Sequence, residues 1–434
     1  MRDSRGHDRR LGRGAGALCR GPRRRGDRRE RGGDRIIPSG PSLARNPSRL
    51  CLFHALQMAL FPVAVITLFW KHSIGLDMAE ILLLQGFFGL SMAVFEFPSG
   101  YVADRIGYRR TLIAASAVNA VAWAIYSYAD TFAMILLGEV LLGLGMALVS
   151  GCDSALLYES LRETDDEESF AKWTGRVRFF GQSAEGTAAL LAGVMYAWSP
   201  RLPFLLEVGL WSANFFVAWS LLEPRRHPPE TRGHWQNVRG IVRTALVSNR
   251  KLTAIIVLAI VLGMSSFLPV WLVPLYAEGA GVPVIWLGPL WAVANYTVAL
   301  GSLASDPGRR RLGLGPLLGV GVVLIGVGYA GLGLAHALFG FAFYFCLTTM
   351  RGFIGPALAH QEQRLIPSSD RAGFLSLRSL LFRMCFLVVG PVVGAAVDRY
   401  GQHDVLLIVG VFFVSFGCLA LEWARRAGAL GRLA

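Results

Sequence analysis

The stretch EFPSGYVADRIGYRR, Glu96 to Arg110, decides the reading of this chain. It leaves a strongly apolar run, passes Gly100, and sets Asp104, Arg105, Arg109 and Arg110 within seven positions before a second apolar run begins. A related stretch, GSLASDPGRRR, stands at Gly301 to Arg311. Charge confined to short turns between long apolar runs marks a chain that reverses at a water boundary and re-enters hydrocarbon.

Composition agrees. Of 434 residues, 53% are hydrophobic and 17% charged, against about a quarter charged in a soluble domain; mean hydropathy is +0.46. The apolar residues come in blocks of about twenty, enough to cross roughly 30 Å of hydrocarbon at 1.5 Å per residue. An all-α, multi-pass membrane protein follows. The net charge of +14 misleads, because residues 1–49 alone hold fifteen arginines against five acids. That Arg- and Gly-rich tail is expected to be disordered. It reads as an inert arm, an over-extended gene start or a contact for anionic lipid. It offers no aromatic ring to stack on bases, so nucleic acid is not an expected partner. Five of the six cysteines lie in apolar runs and none is spaced CxxC, so neither disulfides, nor a metal site, nor a cofactor is expected.

Twelve apolar windows can be drawn: 50–71, 79–103, 111–129, 131–158, 173–197 and 203–222, then 252–276, 284–304, 312–334, 337–359, 374–397 and 404–424. They define an N-terminal six-helix bundle at 50–222 and a C-terminal one at 252–424, joined by a polar linker at 223–251 and followed by a short tail at 425–434. With both termini cytoplasmic, the inner loops receive Arg105, Arg109, Arg110, Arg162, the Arg225–Lys251 group, Arg309 to Arg311, Arg364 and Arg371, whereas the outer loops receive only Lys71, Arg201 and Arg399. A missed span would invert that bias downstream, so it supports both the count and a plasma-membrane orientation.

The halves also match at an offset of 201 residues. Trp70 falls on Trp271, Gly100 on Gly301, Gly107 on Gly308, Arg109 and Arg110 on Arg310 and Arg311, Gly151 on Gly352, and Gly193 on Gly394. Six spans per half place both halves the same way up, a parallel repeat about an axis along the membrane normal. Gly107 and Gly308 are then expected to permit two equivalent tight reversals. Trp70, Trp198, Trp271 and Trp286 are expected in the outer interfacial belt, Trp173 and Trp423 in the inner one.

The run from Gly100 to Arg110 resembles the signature loop of the major facilitator superfamily, G-x-x-x-D-R-x-G-R-[KR], with Tyr108 departing from the frequent Arg. Glu96 to Gly100 resembles the prefix common in a large bacterial branch, as do Ser150–Leu161, Arg371–Arg383 and Gly390–Gly401. The resemblance spans residues 50–424. It implies twelve helices in two bundles, and secondary transport of a small solute by alternating access. It also implies that Asp104 sits near the N-terminal end of the eleventh helix while Arg105, Arg109 and Arg110 latch the halves in the outward state. Glu159 is the expected partner of one of them; the plainer alternative is that all are topological anchors. The fifth helix lacks the Gly-Pro antiporter signature, and Glu139 stands where many antiporters carry arginine. Drug export is thus an expectation of the branch.

Charge within a span costs on the order of 3 kcal/mol to insert, so such residues face the interior. The first half holds Glu96, Glu139, Asp153, Glu185 and Glu207; the second holds Arg351, with Arg378 and Arg383 early in the eleventh span. Acids in one bundle and bases in the other suggest a polarised cavity. Glu139 and Asp153 lie fourteen residues, about 21 Å, apart on one face, so only one can be central, and the small-residue stretch SGCDSA favours Asp153. Glu96, Asp153, Glu185, Arg351, His54 and Gln57 are the candidates for proton coupling or substrate contact; a structural hydrogen bond between helices is the alternative for each acid. Expected partners are a small molecule, protons and membrane lipid, with the chain a monomer.

Other classes fare poorly. The only lysines are Lys71, Lys172 and Lys251, and none closes a phosphate-binding Gly-x4-Gly-Lys loop. His72-x4-Asp77 has the spacing of an acyltransferase pair, but nothing else of such an enzyme is near it. A non-transporting sensor, or uptake of an organic anion or other metabolite at Arg351, stays open.

Overall fold

The computed structural model describes residues 43–225, 242–243, 246, 248–336, 338–366 and 371–430. Most of the Arg-rich tail and of the linker lies outside them, and with it the expectation of disorder. Residues 43–49, assigned to the tail by sequence, instead start the first helix.

The described residues form helices without strands. In chain order they are α1 (Leu43–Ala64 continued by Ile66–Ile74), α2 (Met78–Ile106), α3 (Tyr108–Tyr128), α4 (Phe132–Glu163), α5 (Phe170–Trp198) and α6 (Leu202–Ser220). The second set is α7 (Arg250–Gly279), α8 (Val284–Leu312), α9 (Leu314–Leu334), α10 (Phe339–Leu365), α11 (Arg371–Tyr400) and α12 (Gln402–Arg426). Ten are long and apolar enough to cross a membrane, and the bent pair of α1 makes an eleventh. α5 is as long but carries Lys172, Arg176, Arg178, Gln182 and Glu185 within fourteen residues. Of these Lys172, Arg176, Arg178 and Gln182 are exposed and Glu185 half-buried, and the helix packs on α1 and α8.

Within the first half α3 packs on α4 and α6, and α2 on α4; within the second α8 packs on α10, and α12 on α7 and α9. The halves meet along α2–α11 and α5–α8. One end of the bundle, the linker end, carries the α2–α3, α4–α5, α8–α9 and α10–α11 turns. The other, the far end, carries the remaining connections.

Two details of the repeat are corrected. Gly107 has φ +105° and reverses the chain as expected, but Gly308 lies inside α8 against Phe353. The matching reversal is at Gly313, φ +80°, since only glycine takes such backbone angles at no steric cost. The helix runs past Gly308 through Arg309, Arg310 and Leu312, so the local offset is 206 and the three arginines form its last turn instead of a loop. Arg309 and Arg310 both pair with Asp306 at 2.7 Å. Second, Trp70 and Trp271 are no interfacial belt. Their ring centroids lie 6.0 Å apart across the two halves, and Trp70 is wholly buried. Trp198 and Trp286 are exposed at the far end, as a belt requires.

Candidate functional site

Pro62 has no amide hydrogen and cannot continue a helix from the residues before it. α1 accordingly breaks, and its limbs bend by 50°. In lipid the released backbone groups need partners from within the protein. The main one comes from α6, where Glu207 accepts the Phe61 amide hydrogen at Oε1, 2.9 Å. Glu207 is fully buried, and its Oε2 has no hydrogen-bond partner among the described residues.

The break opens a cavity of about 170 Å³. Leu60, Pro62 and Val63 of the break line it, with Gln57 of α1, Gln85 and Phe88 of α2, Asn119 and Trp123 of α3, Glu139 of α4, Trp211 of α6 and Trp271 of α7. Glu139 is its only ionisable lining residue and is 3% exposed. Its Oε1 accepts from Gln85 Nε2 at 3.0 Å and from the Tyr126 hydroxyl. Gln57 donates to the Met146 sulfur at 3.7 Å.

Of the residues predicted from sequence, Gln57 alone lines this cavity. Others gather in three pairs. His54 packs against Gly181 and lies within electrostatic reach of Asp153. Asp153 follows Gly151, whose φ of +82° interrupts α4, and its carboxylate accepts the Ser154 amide at 2.7 Å. Glu185 accepts from Gln182 at 2.9 Å and acts electrostatically on Arg351 across the two halves. Glu96 acts in the same way on Arg383, whose guanidinium donates to Gly89 O at 3.3 Å. The ranking of α4's acids reverses: Glu139 lies about 10 Å from the far end of the helix and Asp153 about 31 Å, so Glu139 is the membrane-central one. Glu139, Gln85, Asn119, Trp211 and Glu207 were missed as site residues.

At the linker end, Arg109 belongs to its own half: its guanidinium donates to Trp219 O at 2.7 Å and 3.2 Å and sits over the Trp219 ring. Glu223 receives the Tyr108 and Arg109 amides, both at 2.8 Å, and so caps α3. Glu159 pairs with Arg162 at 3.2 Å, and Arg105 lies over the Tyr101 ring. Asp104 and Gly100 are exposed; Asp104 makes no hydrogen bond or ion pair among the described residues, and a methyl group on Gly100 would meet nothing within 4 Å.

The far end is shut. Asp398 of α11 receives the Met78 and Ala79 amides, each at 3.0 Å, at the start of α2. Lys71 stands 4.0 Å from Asp398, and His72 meets Glu278 at 2.7 Å. Asp77 caps α2 in a reciprocal arrangement with Glu80. The His72 and Asp77 spacing therefore serves an inter-half contact and a helix cap, which disposes of the acyltransferase reading.

A profile of the Major Facilitator Superfamily matches residues 50–385. The uncharacterized MFS-type transporter YxaM of Bacillus subtilis is 24% identical over 223 residues, 47% of this chain and 51% of that protein. The inner membrane transport protein YajR of Escherichia coli is 31% identical over 121 residues, 28% of this chain and 26% of that protein. The match thus spans about half or less of each relative's length. Among solved structures, nucleoside transporter NupG superposes with a TM-score of 0.72 at 14% identity, covering 87% of this chain and 98% of that one. A bacterial homolog of the human lysosomal transporter Spinster, inward-facing and unoccupied, gives 0.69 at 15% identity, covering 91% and 100%. At such identities the likeness is one of fold.

Proposed function

The chain belongs to the Major Facilitator Superfamily, and from that premise we propose that it is a proton-coupled secondary transporter moving a small solute by alternating access. One observation supports the reading: among the described residues, the contacts that close the interface between the halves gather at the far end. At the far end Asp398 caps α2, His72 meets Glu278 and Trp70 meets Trp271, while at the linker end Asp104 and Gly100 stand exposed.

The Lys and Arg bias assigns the linker end to the cytoplasm. Both termini then lie in the cytosol, the protein sits in the plasma membrane, and this structure is its inward-facing state. The loop Gly100–Arg110 acts as a latch in the opposite state. Glu139 is the first candidate for the coupling proton, being buried in the cavity wall with no basic residue beside it; Glu96, Asp153 and Glu185 follow. The bacterial form of the loop supports export, including of drugs, as the direction.

Reconstitution into liposomes tests this. Uptake of compounds from a broad panel is measured with and without an imposed pH gradient, with residues 72 and 278 replaced by cysteine and cross-linked in one arm. Gradient-dependent flux that stops on cross-linking and returns on reduction is expected. Flux indifferent to the gradient removes proton coupling, and flux unaffected by the cross-link removes alternating access at this gate.

A further inference from the structure

Three gate residues of the first half sit on one short piece of helix. Trp70, Lys71 and His72 all lie in the limb of α1 beyond the break, Ile66–Ile74, and face Trp271, Asp398 and Glu278 of the second half. The 50° bend separates this limb from the rest of α1. Its last six residues, Phe69–Ile74, are wound as a π-helix, a form frequent at functional sites.

A run of buried rings leads from this limb to a carboxyl group. Phe69 packs on Phe204 of α6 with ring centroids 4.3 Å apart, and Phe204 lies parallel to Tyr126 of α3 at 5.7 Å. Tyr126 donates its hydroxyl to Glu139 Oε1 on α4. Its ring is pressed on that helix, since a methyl group on Gly138 would lie 2.7 Å from it. Phe69, Trp70, Tyr126 and Phe204 are all wholly buried. Packing this close shifts between discrete arrangements and transmits a displacement.

The polar groups facing Glu139 are Tyr126 from α3 and Gln85 from α2, which donates to the same oxygen at 3.0 Å. The cavity beside it is lined by no Lys, Arg or His, and the other buried acid, Glu207 of α6, receives the Phe61 amide. A hydrogen bond to a carboxylate is roughly twice as strong as one to a neutral acid. Charge at Glu139 therefore sets how firmly Tyr126 is held.

We propose that Tyr126 is a positioning residue for proton coupling, its hydroxyl tying the protonation of Glu139 to the outer limb of α1. Burying an unpaired charge is costly, so the neutral acid suits the shut far end and the ionised acid an open one. The change reaches the limb through Tyr126, Phe204 and Phe69. This linkage deepens the transporter reading and rests on it for its role in transport.

Spin labels at positions 73 and 280, in a cysteine-free full-length protein in nanodiscs, report the distance between the limb and α7 by pulsed EPR. From pH 5.5 to pH 8.5 the open population is expected to rise about threefold or more, and in E139Q to stay constant. Y126F keeps the ring and removes the hydroxyl; it is expected to lose at least about half of the response while melting near the parent temperature. Q85M removes the other donor without touching the run of rings and should keep the response, which separates a relay from mere support of Glu139. These two variants decide the matter if E139Q does not fold. A parent without a pH response, Y126F responding like the parent, or Q85M losing the response as Y126F does overturns the inference. Gradient-driven flux in liposomes with a limb indifferent to pH overturns the relay and leaves the transporter reading standing. A limb that responds through Tyr126 without flux of any solute supports the relay and counts against that reading.

Discussion

Gly193 and Gly394, 201 residues apart, stand at equivalent points of the two halves, each pressed on the backbone of a helix start in the opposite half. A methyl group on Gly193 would lie 2.9 Å from Ile285 Cα, and one on Gly394 2.6 Å from Ala79 Cα. Atoms of that kind do not approach so closely, so the missing side chains are what let α5 reach α8 and α11 reach α2 at the far end. The repeat is thus visible in the contact that closes the cavity as well as in the sequence.

Replacing Gly394 by alanine is therefore expected to pry the far end apart. With a single cysteine at position 57 in a cysteine-free background, a membrane-impermeant thiol reagent added on the outside should label the G394A protein several-fold faster than its parent. Labelling at the parent rate would mean that close approach at Gly394 does not hold this gate.

Much of this architecture could be read in advance, and what could not has a common cause. Apolar blocks and the Lys and Arg bias report how deep a residue lies, and that fixed the helix count and the alternation of turns. They do not report where a helix ends within a turn of its last charge, which is why the reversal was placed at Gly308 when α8 runs on to Gly313. Periodicity gives the face of a helix without saying which end of the face is central, and so Asp153 was preferred to Glu139. Trp70 and Trp271 have the depth of an interfacial belt, and only the packing of two halves turns them inward. The break in α1 was not read in advance, since 50–71 was drawn as one span across Pro62, and the carboxylate that satisfies it comes from Glu207, 146 residues away.

That long-range cap makes a clean test of Glu207. Glutamine keeps an oxygen at the Phe61 amide, whereas alanine leaves a buried N–H unsatisfied at a cost of about 1–3 kcal/mol. E207Q is expected to melt near the parent temperature in detergent, and E207A several degrees lower. The opposite order, or equal loss in both, would assign the carboxyl a role beyond capping.

Glu223 is the corresponding cap at the linker end, accepting two amides at the start of α3 and standing beside the site where Arg109 is tied to Trp219 O. E223A removes a charge favourably placed at a helix N-terminus, worth about 0.3–2 kcal/mol, and exposes two donors. A fall in thermal stability is expected, together with faster proteolysis at the α2–α3 turn. E223Q should recover part of the stability, because one amide oxygen still accepts. No change in either variant would leave these bonds without energetic weight.

Asp104 and Asp398 give the sharpest expectation, because they have the same local sequence and opposite surroundings. Each is followed by Arg-x-Gly, the glycine having φ +105° at Gly107 and +85° at Gly401. Asp398 at the far end holds the first amides of α2, from the other half, at 3.0 Å; Asp104 at the linker end is exposed. Two acids at opposite ends of the α2–α11 pair cannot both dock while those helices splay at one end, so each should stabilise the state in which its own end is shut. D398N is then expected to raise outside labelling of a cysteine at position 57, and D104N to lower it, each by about five- to tenfold, the equivalent of losing one charge-assisted hydrogen-bond set of roughly 1–1.5 kcal/mol. Melting temperature in the inward-facing state separates them as well: D398N should lower it and D104N should not. Two variants that shift labelling in the same direction would show that these acids do not oppose each other, and the latch assigned to Asp104 would go with that result.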